Sequence, residues 1–374
     1  MLGAIVRNPY LQGAFMLANW CKTLSMAALL GAAADLAAAK PGGEQLARAA
    51  NIPWPAVIAH RGASFDAPES TRPAYLLARE LGADYLELDL QRTRDGELIA
   101  LHDDSLLRTT DVALKFPERK GLPVSEFTLA ELKSLDAGSW FNQAHPERAR
   151  PKYEGLQVLT LDEVIDIAEG NRAHTPGLYI ETKVPQKFPG IERDLKSKLQ
   201  ARGWLDGKHR VVLQSFDAGS LRLLHEQMPA VPKVLLLWVG AGSIEPQSKV
   251  TFAESGLTDK AAFYARQQPR DRAEFERWLD IAKASGAIGT GPSAALSAGG
   301  DQSYSDLVQP WMNQATHARG MLVHAYTVDE TVDFKKVKAA GVDGIFTNRA
   351  AQLLQFYGRG SALSVEATLE ALGY

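Results

Sequence analysis

Charged and hydrogen-bonding side chains follow the short apolar runs of this sequence, where β-strands are predicted to end. The stretch VIAHRGASFDAPES, residues 57–70, shows the pattern first: an apolar run stops at a histidine and an arginine, residue types that are rarely buried. Either the run leads into a surface loop, or His60 and Arg61 lie at the mouth of a site. Similar residues lie at the ends of other runs: Glu87, Asp89, His102, Glu181, Lys183, Gln214 and Tyr326.

These residue types suit the cleavage of a phosphate ester. Alternate residues of a strand point the same way, so Glu87 and Asp89 share one face, as do Glu181 and Lys183. Three carboxylates without a nearby cysteine form an all-oxygen ligand set, which suits Mg²⁺ or Ca²⁺. The two histidines can exchange protons with the reacting groups, and Arg61 with Lys183 can neutralise an anionic phosphate.

Each of these residues also has a purely structural interpretation. His60 alone could be a capping or core histidine, and the Glu181–Lys183 pair could be a simple ion pair. Asp103 and Asp104 are predicted only to support a turn. The functional interpretation rests on coincidence, because complementary charges recur at four strand ends and buried ionisable groups are costly unless they are paired or bind a ligand.

Strand-like and helix-like stretches alternate along the chain and predict the scaffold of the site. The predicted barrel strands are Val57–Ala59, Tyr85–Leu90, Leu178–Glu181, Val211–Leu213, Val234–Trp238, Ala287–Gly289, Met321–Tyr326 and Gly344–Phe346. The helix-like stretches are Arg72–Leu81, Leu161–Glu169, Ile191–Arg202, Ser220–Gln227, Glu274–Ser285, Ser305–Arg319 and Val332–Ala340. About eight strand–helix units predict an α/β fold, a parallel (β/α)8 TIM barrel.

Two stretches interrupt the alternation. Residues 101–157 form an insertion after the second strand, preceded by a short strand, Glu97–Leu101, that could pair back through the turn at Asp95-Gly96. Residues 240–269 are polar and irregular and predict a long loop after the fifth strand. Because the loops that follow strands line the active face of such a barrel, both stretches are expected to shape substrate access.

The N-terminal region predicts export. Thr23–Ala34 is apolar, Lys22 precedes it, and Ala37–Ala39 offers small residues for cleavage, so residues 1–39 are predicted to be a signal peptide. The alternative is an amphipathic helix packed on the body. Residues 40–54 are predicted to be a tether, 55–357 the barrel and 358–374 a C-terminal tail. Export implies a periplasmic or secreted protein.

Composition excludes several other functions. The chain has 374 residues, 45% of them apolar, a formal net charge of -3 and no basic stripe, so no nucleic-acid partner is expected. Cys21, the one cysteine, lies in the leader, which leaves the body without thiol chemistry. No segment of the body is long and apolar enough to span a bilayer, so no membrane span is expected after signal removal.

Several motifs together resemble the glycerophosphodiester phosphodiesterase family. They are HRGASFDAPEST at 60–71, GADYLELDLQRTRDGELIALHDDSLLRTT at 82–110, ETK at 181–183, QSF at 214–216 and GVDGIFTN at 341–348. The resemblance spans about residues 57–355. It implies a (β/α)8 barrel that uses a divalent cation to hydrolyse glycerophosphodiesters to sn-glycerol 3-phosphate and an alcohol.

The resemblance also implies a role for each matched residue. It assigns acid/base catalysis to His60 and His102, and metal binding to Glu87, Asp89 and Glu181. It assigns substrate contacts to Arg61, Lys183 and Tyr326. Glu69 and Gln214 are expected to lie next to the metal ligands. Gly62 is expected to let the backbone approach the substrate. The chain departs from the family pattern at Ser70, usually Asn, and at Tyr326, often Trp, so the preferred alcohol is not carried over. Two alternatives stay open: a phospholipase-type phosphodiesterase acting on lysophospholipids, and an inactive barrel that serves as an envelope binding protein.

Overall fold

A closed barrel of eight parallel strands forms the centre of the protein. The computed structural model describes residues 42–171 and 173–374, and the predicted signal peptide lies outside them. The described strands are β1 Ala56–Ala59, β2 Tyr85–Arg92, β3 Leu98–Ala100, β4 Leu159–Thr160, β5 Gly177–Thr182, β6 Val211–Ser215, β7 Lys233–Leu237, β8 Gly289–Pro292, β9 Leu322–Ala325 and β10 Gly344–Thr347. The ring runs β1-β2-β5-β6-β7-β8-β9-β10 and closes through parallel pairing of β10 with β1. The predicted TIM barrel is confirmed.

The helices cover the outside of this ring. They are α1 Gly43–Ala49, α2 Arg72–Leu81, α3 Val112–Lys115, α4 Leu129–Lys133, α5 Ser139–Ala144, α6 Leu161–Glu169, α7 Ile191–Ala201, α8 Ala218–Gln227, α9 Lys260–Ala265, α10 Arg272–Ala284, α11 Pro310–His317, α12 Thr331–Ala339, α13 Ala350–Phe356 and α14 Val365–Ala371. Short 3₁₀ turns cover Pro117–Arg119, Val124–Glu126, Pro146–Arg148, Pro151–Tyr153, Pro185–Lys187 and Asp301–Tyr304. No described helix has the length and apolar character needed to cross a membrane.

β2 extends beyond its barrel neighbours and carries a small antiparallel sheet. Its last residues pair with β3, with Leu90 opposite Ala100, and β3 pairs in turn with β4. Gly96, at φ +95°, makes the connecting turn. The segment between β3 and β4 contains α3, α4 and α5, and the loop between β7 and α10 contains α9, which the sequence pattern did not predict.

β8 begins two residues later than the sequence suggests, at Gly289 rather than Ala287. Its glycines are required by packing. A Cβ on Gly291 would lie 2.6 Å from Leu236 Cδ2, and one on Gly289 would lie 3.0 Å from the carbonyl oxygen of Leu322. The strand is poor in side chains because its neighbours fill that space.

Both flanking segments of the barrel differ from their predicted form. Within the predicted tether, residues 43–49 are helical, and Ala47 with Ile52 packs into the cluster that fills the barrel interior. In the predicted tail, Ser364 caps α14, because its hydroxyl accepts a hydrogen bond from Ala367 N at 3.1 Å, and Leu369 of this helix is buried. Apolar spacing of three to four residues within these polar segments accounts for the docking of both helices.

Candidate active site

Three carboxylates converge where the barrel strands β2 and β5 end. Asp89 and Glu181 lie opposite each other in the β2–β5 register, and Glu87 lies two residues before Asp89, on the same face of β2. One oxygen from each residue lies within 4.8 Å of the others, and none of the three residues is more than 5% exposed. The structure therefore brings the three predicted metal ligands together in a buried cluster.

Two cations and one amide hold these carboxylates in place. Lys183 Nζ lies 3.3 Å from Asp89 Oδ1 and 3.2 Å from Glu181 Oε1, and Arg61 Nε lies 3.3 Å from Asp89 Oδ2. Glu87 accepts hydrogen bonds from the backbone N–H of Arg61 at 2.8 Å and from Gln214 Nε2 at 3.2 Å. The simple ion pair considered for Glu181 and Lys183 is thus real, but it belongs to a larger cluster.

The electrostatics of the cluster suit a divalent cation. Burial and the charge of Asp89 raise the pKa of Glu87 well above its ordinary value. Burial, opposed by Lys183 and reinforced by Asp89, raises the pKa of Glu181 to about 7. Within the described part of the chain, the buried oxygens Asp89 Oδ2 and Gln214 Oε1 accept no hydrogen bond, although Arg61 Nε lies 3.3 Å from the first of them as an ion pair. These residues fit a hard cation, because an added positive charge would favour the ionised carboxylates and use the oxygen set.

His60 is held by a neutral amide. Its Nδ1 lies 2.8 Å from Asn348 Oδ1, and Asn348 Nδ2 donates to Asp329 Oδ2 at 2.7 Å. Since the amide nitrogen is used by Asp329, the oxygen faces the ring, so Nδ1 carries the proton and Nε2 is left as an acceptor. Ser64 Oγ also donates to Asn348 Oδ1 at 2.8 Å. Burial and the neighbouring Arg61 lower the pKa of His60 to about 3, which keeps the ring neutral.

His102 is held by a carboxylate. Its Nδ1 donates to Asp103 Oδ1 at 2.6 Å, and Arg108 Nε donates to Asp103 Oδ2 at 2.6 Å. Burial opposes ionisation of Asp103, but the hydrogen bonds from His102 and Arg108 outweigh it and lower the pKa of this carboxyl. The prediction that Asp103 only supports a turn is wrong. Asp104 instead pairs with Lys187 Nζ at 2.6 Å.

Glu69 lies beside the carboxylate cluster, but its side chain is hydrogen-bonded to two arginines. Both of its oxygens accept hydrogen bonds from Arg108 at 2.8 Å, and Glu69 Oε1 accepts another from Arg61 Nη1 at 3.0 Å. Burial alone would raise the pKa of Glu69, but Arg108 and Arg61 outweigh it and lower this pKa to about 2. Through Arg108, Glu69 is connected to Asp103, so one arginine joins the two sides of the site.

Gly62 has a different purpose from the one expected. Its φ is +86°, and a Cβ there would lie 2.6 Å from the carbonyl carbon of Ala74 in α2. The glycine therefore lets the loop after β1 pack against a helix rather than against a substrate. Arg61 next to it also has a left-handed φ, +57°, which turns its backbone N–H toward Glu87.

A cavity of about 200 Å³ opens above the carboxylates. Nine of the ten predicted site residues line it, and only Glu69 is set back. The nine are His60, Arg61, Glu87, Asp89, His102, Glu181, Lys183, Gln214 and Tyr326. The Tyr326 hydroxyl donates to the carbonyl oxygen of Leu237 at 3.0 Å, and its ring contacts Phe216 edge to face at 5.8 Å.

Four residues of the site were missed by sequence reasoning. Asp103 and Arg108 position His102, and Asp329 and Asn348 position His60. Arg108 lies in the motif at 82–110 and Asn348 in the motif at 341–348, but neither motif indicates which side chain these residues contact. Asp329 lies in a loop after β9 with no local signal.

A TIM barrel with three carboxylates, two cations and two histidines around one cavity is typical of a hydrolase that acts on phosphate esters. Residues 60–352 match the model of the Glycerophosphoryl diester phosphodiesterase family, and the chain belongs to this family of hydrolases.

Relatives with this activity in their names cover most of the chain. A glycerophosphodiester phosphodiesterase of Bacillus subtilis is 37% identical over 296 residues, which are 78% of this chain and 82% of the relative. One from Caldanaerobacter subterraneus is 29% identical over 304 residues, 81% of this chain and 98% of the relative. Among solved structures, an Oleispira antarctica phosphodiesterase in complex with the product sn-glycerol-3-phosphate has a TM-score of 0.58 at 23% identity, covering 82% of this chain and 97% of its own.

Proposed function

We propose that the protein hydrolyses glycerophosphodiesters to sn-glycerol 3-phosphate and an alcohol, with one divalent cation, Mg²⁺ or Ca²⁺, held by Glu87, Asp89 and Glu181. The observation that carries the proposal is the convergence of this buried carboxylate cluster with two differently supported histidines on one cavity. The product named for the Oleispira phosphodiesterase supports the choice of product.

The two histidines divide the proton transfers between them in this proposal. His60 is neutral and its Nε2 is an acceptor, so it takes the proton from the attacking hydroxyl. His102 is backed by the Asp103 carboxylate, which stabilises an imidazolium, so it protonates the departing alkoxide. The attacking hydroxyl belongs to water or to the glycerol of the substrate.

The charged residues of the cavity orient the phosphate. When bound, the divalent cation would neutralise charge on the phosphate and lower the pKa of the attacking hydroxyl. Lys183 and Arg61 hold the carboxylates at their positions and add positive charge at the same wall of the cavity. The near-complete burial of the cluster strengthens each of these interactions by excluding water.

A metal-dependent assay with glycerophosphocholine tests the proposal. We expect turnover that a chelator abolishes and that Mg²⁺ or Ca²⁺ restores. Replacing His60 or His102 by alanine should lower kcat by about 10²–10⁴-fold. His174→Ala is a matched control, because that histidine contacts the carbonyl oxygen of Ala83, away from the cavity. Wild-type rates in both site variants would contradict the proposal.

The same assay separates the two alternatives. Hydrolysis of lysophospholipid micelles in preference to the soluble diester would favour the phospholipase-type reaction. No turnover of either substrate in any divalent cation would favour an inactive binding protein. Detection of a transient cyclic phosphate by ³¹P NMR in a slow variant would identify the glycerol hydroxyl as the attacking group, and its absence would favour water.

We also propose that the protein is exported. The apolar stretch Thr23–Ala34, preceded by Lys22 and followed by small alanines, supports a cleaved signal peptide within residues 1–39. Mass spectrometry of the mature N-terminus, combined with fractionation of the producing cells, tests this. An uncleaved chain retained inside the cell would contradict it.

A further inference from the structure

A second cavity opens beside the catalytic one. Its volume is about 570 Å³, and it shares Glu181, Lys183 and Phe216 with the catalytic cavity. Its other walls come from the residues that follow β5, β6 and β7, and from the loop after β7. The two spaces therefore meet at the ring of Phe216, directly next to the predicted metal ligands.

The size of the catalytic cavity implies that a substrate extends beyond it. At about 200 Å³ it is smaller than the roughly 300–1,000 Å³ typical of small-molecule sites. A phosphodiester has two groups on its phosphorus, and only one of them can share this space with the phosphate. The adjoining cavity is the larger of the two and has room for the second group.

The walls of the second cavity favour an apolar group with a positive charge. Phe216 and Trp238 contribute aromatic rings, and Val184 and Ile244 contribute aliphatic surface. Among the described residues that line it, Lys183 is the only cation, and that ammonium is already paired with two carboxylates. The Lys183 ammonium also lies 6.0 Å from the centroid of the Phe216 ring, so the aromatic face that no described cation covers is that of Trp238, and such a face attracts a quaternary ammonium group.

Two further contacts define this wall. A Cβ on Gly240 would lie 3.3 Å from the Trp238 ring and 3.3 Å from the Tyr264 ring, so the loop is packed against the tryptophan and fixes its position. Asp217 accepts a hydrogen bond from Ser220 N at 2.8 Å and thereby caps α8 with a negative charge at the cavity wall. The full negative charge of this carboxylate exceeds the partial positive charge of the α8 N-terminus, so this part of the wall disfavours an anionic occupant and favours a cationic one.

We propose that the second cavity is the leaving-alcohol subsite and that it prefers alcohols with a quaternary ammonium group. The inference rests on the proposed function, because it assigns the alcohol that is released when its bond to phosphorus breaks and its oxygen takes a proton from His102. Trp238 is the residue that determines this preference.

Three diesters that differ only in the alcohol test the subsite. They are glycerophosphocholine, the uncharged isostere that carries 3,3-dimethylbutanol, and glycerol 3-(methyl phosphate), whose alcohol is a single methyl group without charge. In Trp238→Leu, kcat/KM for the choline diester should fall about tenfold. The isostere and the methyl diester should change less than about twofold, since leucine keeps the wall apolar. Asp217→Asn, which keeps the helix cap but removes the charge, should lower only the choline value.

Phe252→Ala is the control, because Phe252 lies in the same loop but packs on Phe263 and is not part of the cavity wall. It should leave the ratio of the three kcat/KM values unchanged. An equal loss on all three diesters in Trp238→Leu, or no loss on any, in an active enzyme would overturn the subsite alone. A wild type inactive on all three would overturn the proposed function and the subsite with it.

Discussion

The hydrogen-bonded chain Asp329–Asn348–His60 allows a charge to be moved toward a histidine without changing the net charge. At present a neutral amide separates the Asp329 carboxylate from Nδ1 of His60. The double variant Asn348→Asp with Asp329→Asn exchanges the two groups, so that the carboxylate contacts the imidazole and the amide lies behind it. Asp329 also accepts hydrogen bonds from Thr347 Oγ1 and Asn348 N, and the carbonyl oxygen of the replacing amide can accept both.

The size of the effect follows from the distances. Opposite unit charges 4 Å apart attract by about 4 kcal/mol at an effective dielectric constant of 20, and by about half as much at twice the distance. Moving the carboxylate from behind the amide to its near side therefore stabilises the imidazolium by about 2 kcal/mol, which corresponds to about 1.5 pKa units. The pKa of His60, lowered to about 3 in the native protein, should rise by that amount.

Two measurements check this prediction. An NMR titration of the His60 ring reports its pKa directly, and the acidic limb of the pH profile of kcat/KM should move upward with it, because that limb reports the base in the free enzyme. Asp329→Asn alone is the control for the loss of the distant charge, and by the same arithmetic it should move the limb downward by about as much as the double variant moves it upward. A limb that stays in place in a folded double variant, while the ring titrates higher, would refute the assignment of His60 as the base.

Three further predictions concern stability and metal binding. Gly62→Ala should destabilise the fold more than Gly82→Ala, because both glycines have φ near +90° but only a Cβ on Gly62 would meet Ala74. The difference between the free energies of unfolding of the two variants in urea measures the cost of that contact. Equal losses of free energy in both variants would show that only φ matters. Lys233 is 1% exposed, its Nζ donates to the carbonyl oxygen of Met228, and no carboxylate of the described residues pairs with it; burial lowers its pKa to about 8 from 10.5. The unfolded chain therefore binds more protons between pH 8 and 10.5, and stability rises with pH in that window. Lys233→Met should be more stable than the wild type at pH 7, with a gain that shrinks toward pH 10; a gain independent of pH would contradict the reasoning. Mg²⁺ or Ca²⁺ at about 100 times its Kd should stabilise the wild type by about 2.7 kcal/mol, and Glu181→Gln should reduce the accompanying rise in Tm; an equal rise in both would place the ion elsewhere.

The strands and helices of the barrel were predictable because each depends on residues that are close together in the sequence. Short apolar runs located all eight barrel strands, helical spacing and terminal glycines located seven of the helices, and the bounds of α2 and α6 agree with the structure. The glycine-rich β8 was displaced by two residues, because its close packing against Leu236 and Leu322 leaves no side-chain pattern to recognise. The helices α1 and α14 were missed because their stability comes from docking on the barrel.

The residue types at the strand ends were enough to propose the chemistry, since strand alternation and the common edge of a parallel barrel bring Glu87, Asp89 and Glu181 to one side. The partners of the two histidines were decided only by the tertiary structure. Asn348 is 288 residues from His60 along the chain, and Arg108 reaches Glu69 across 39 residues. Hydrogen bonds over such separations depend on how loops from different strands pack at the top of the barrel, and no local periodicity encodes that packing.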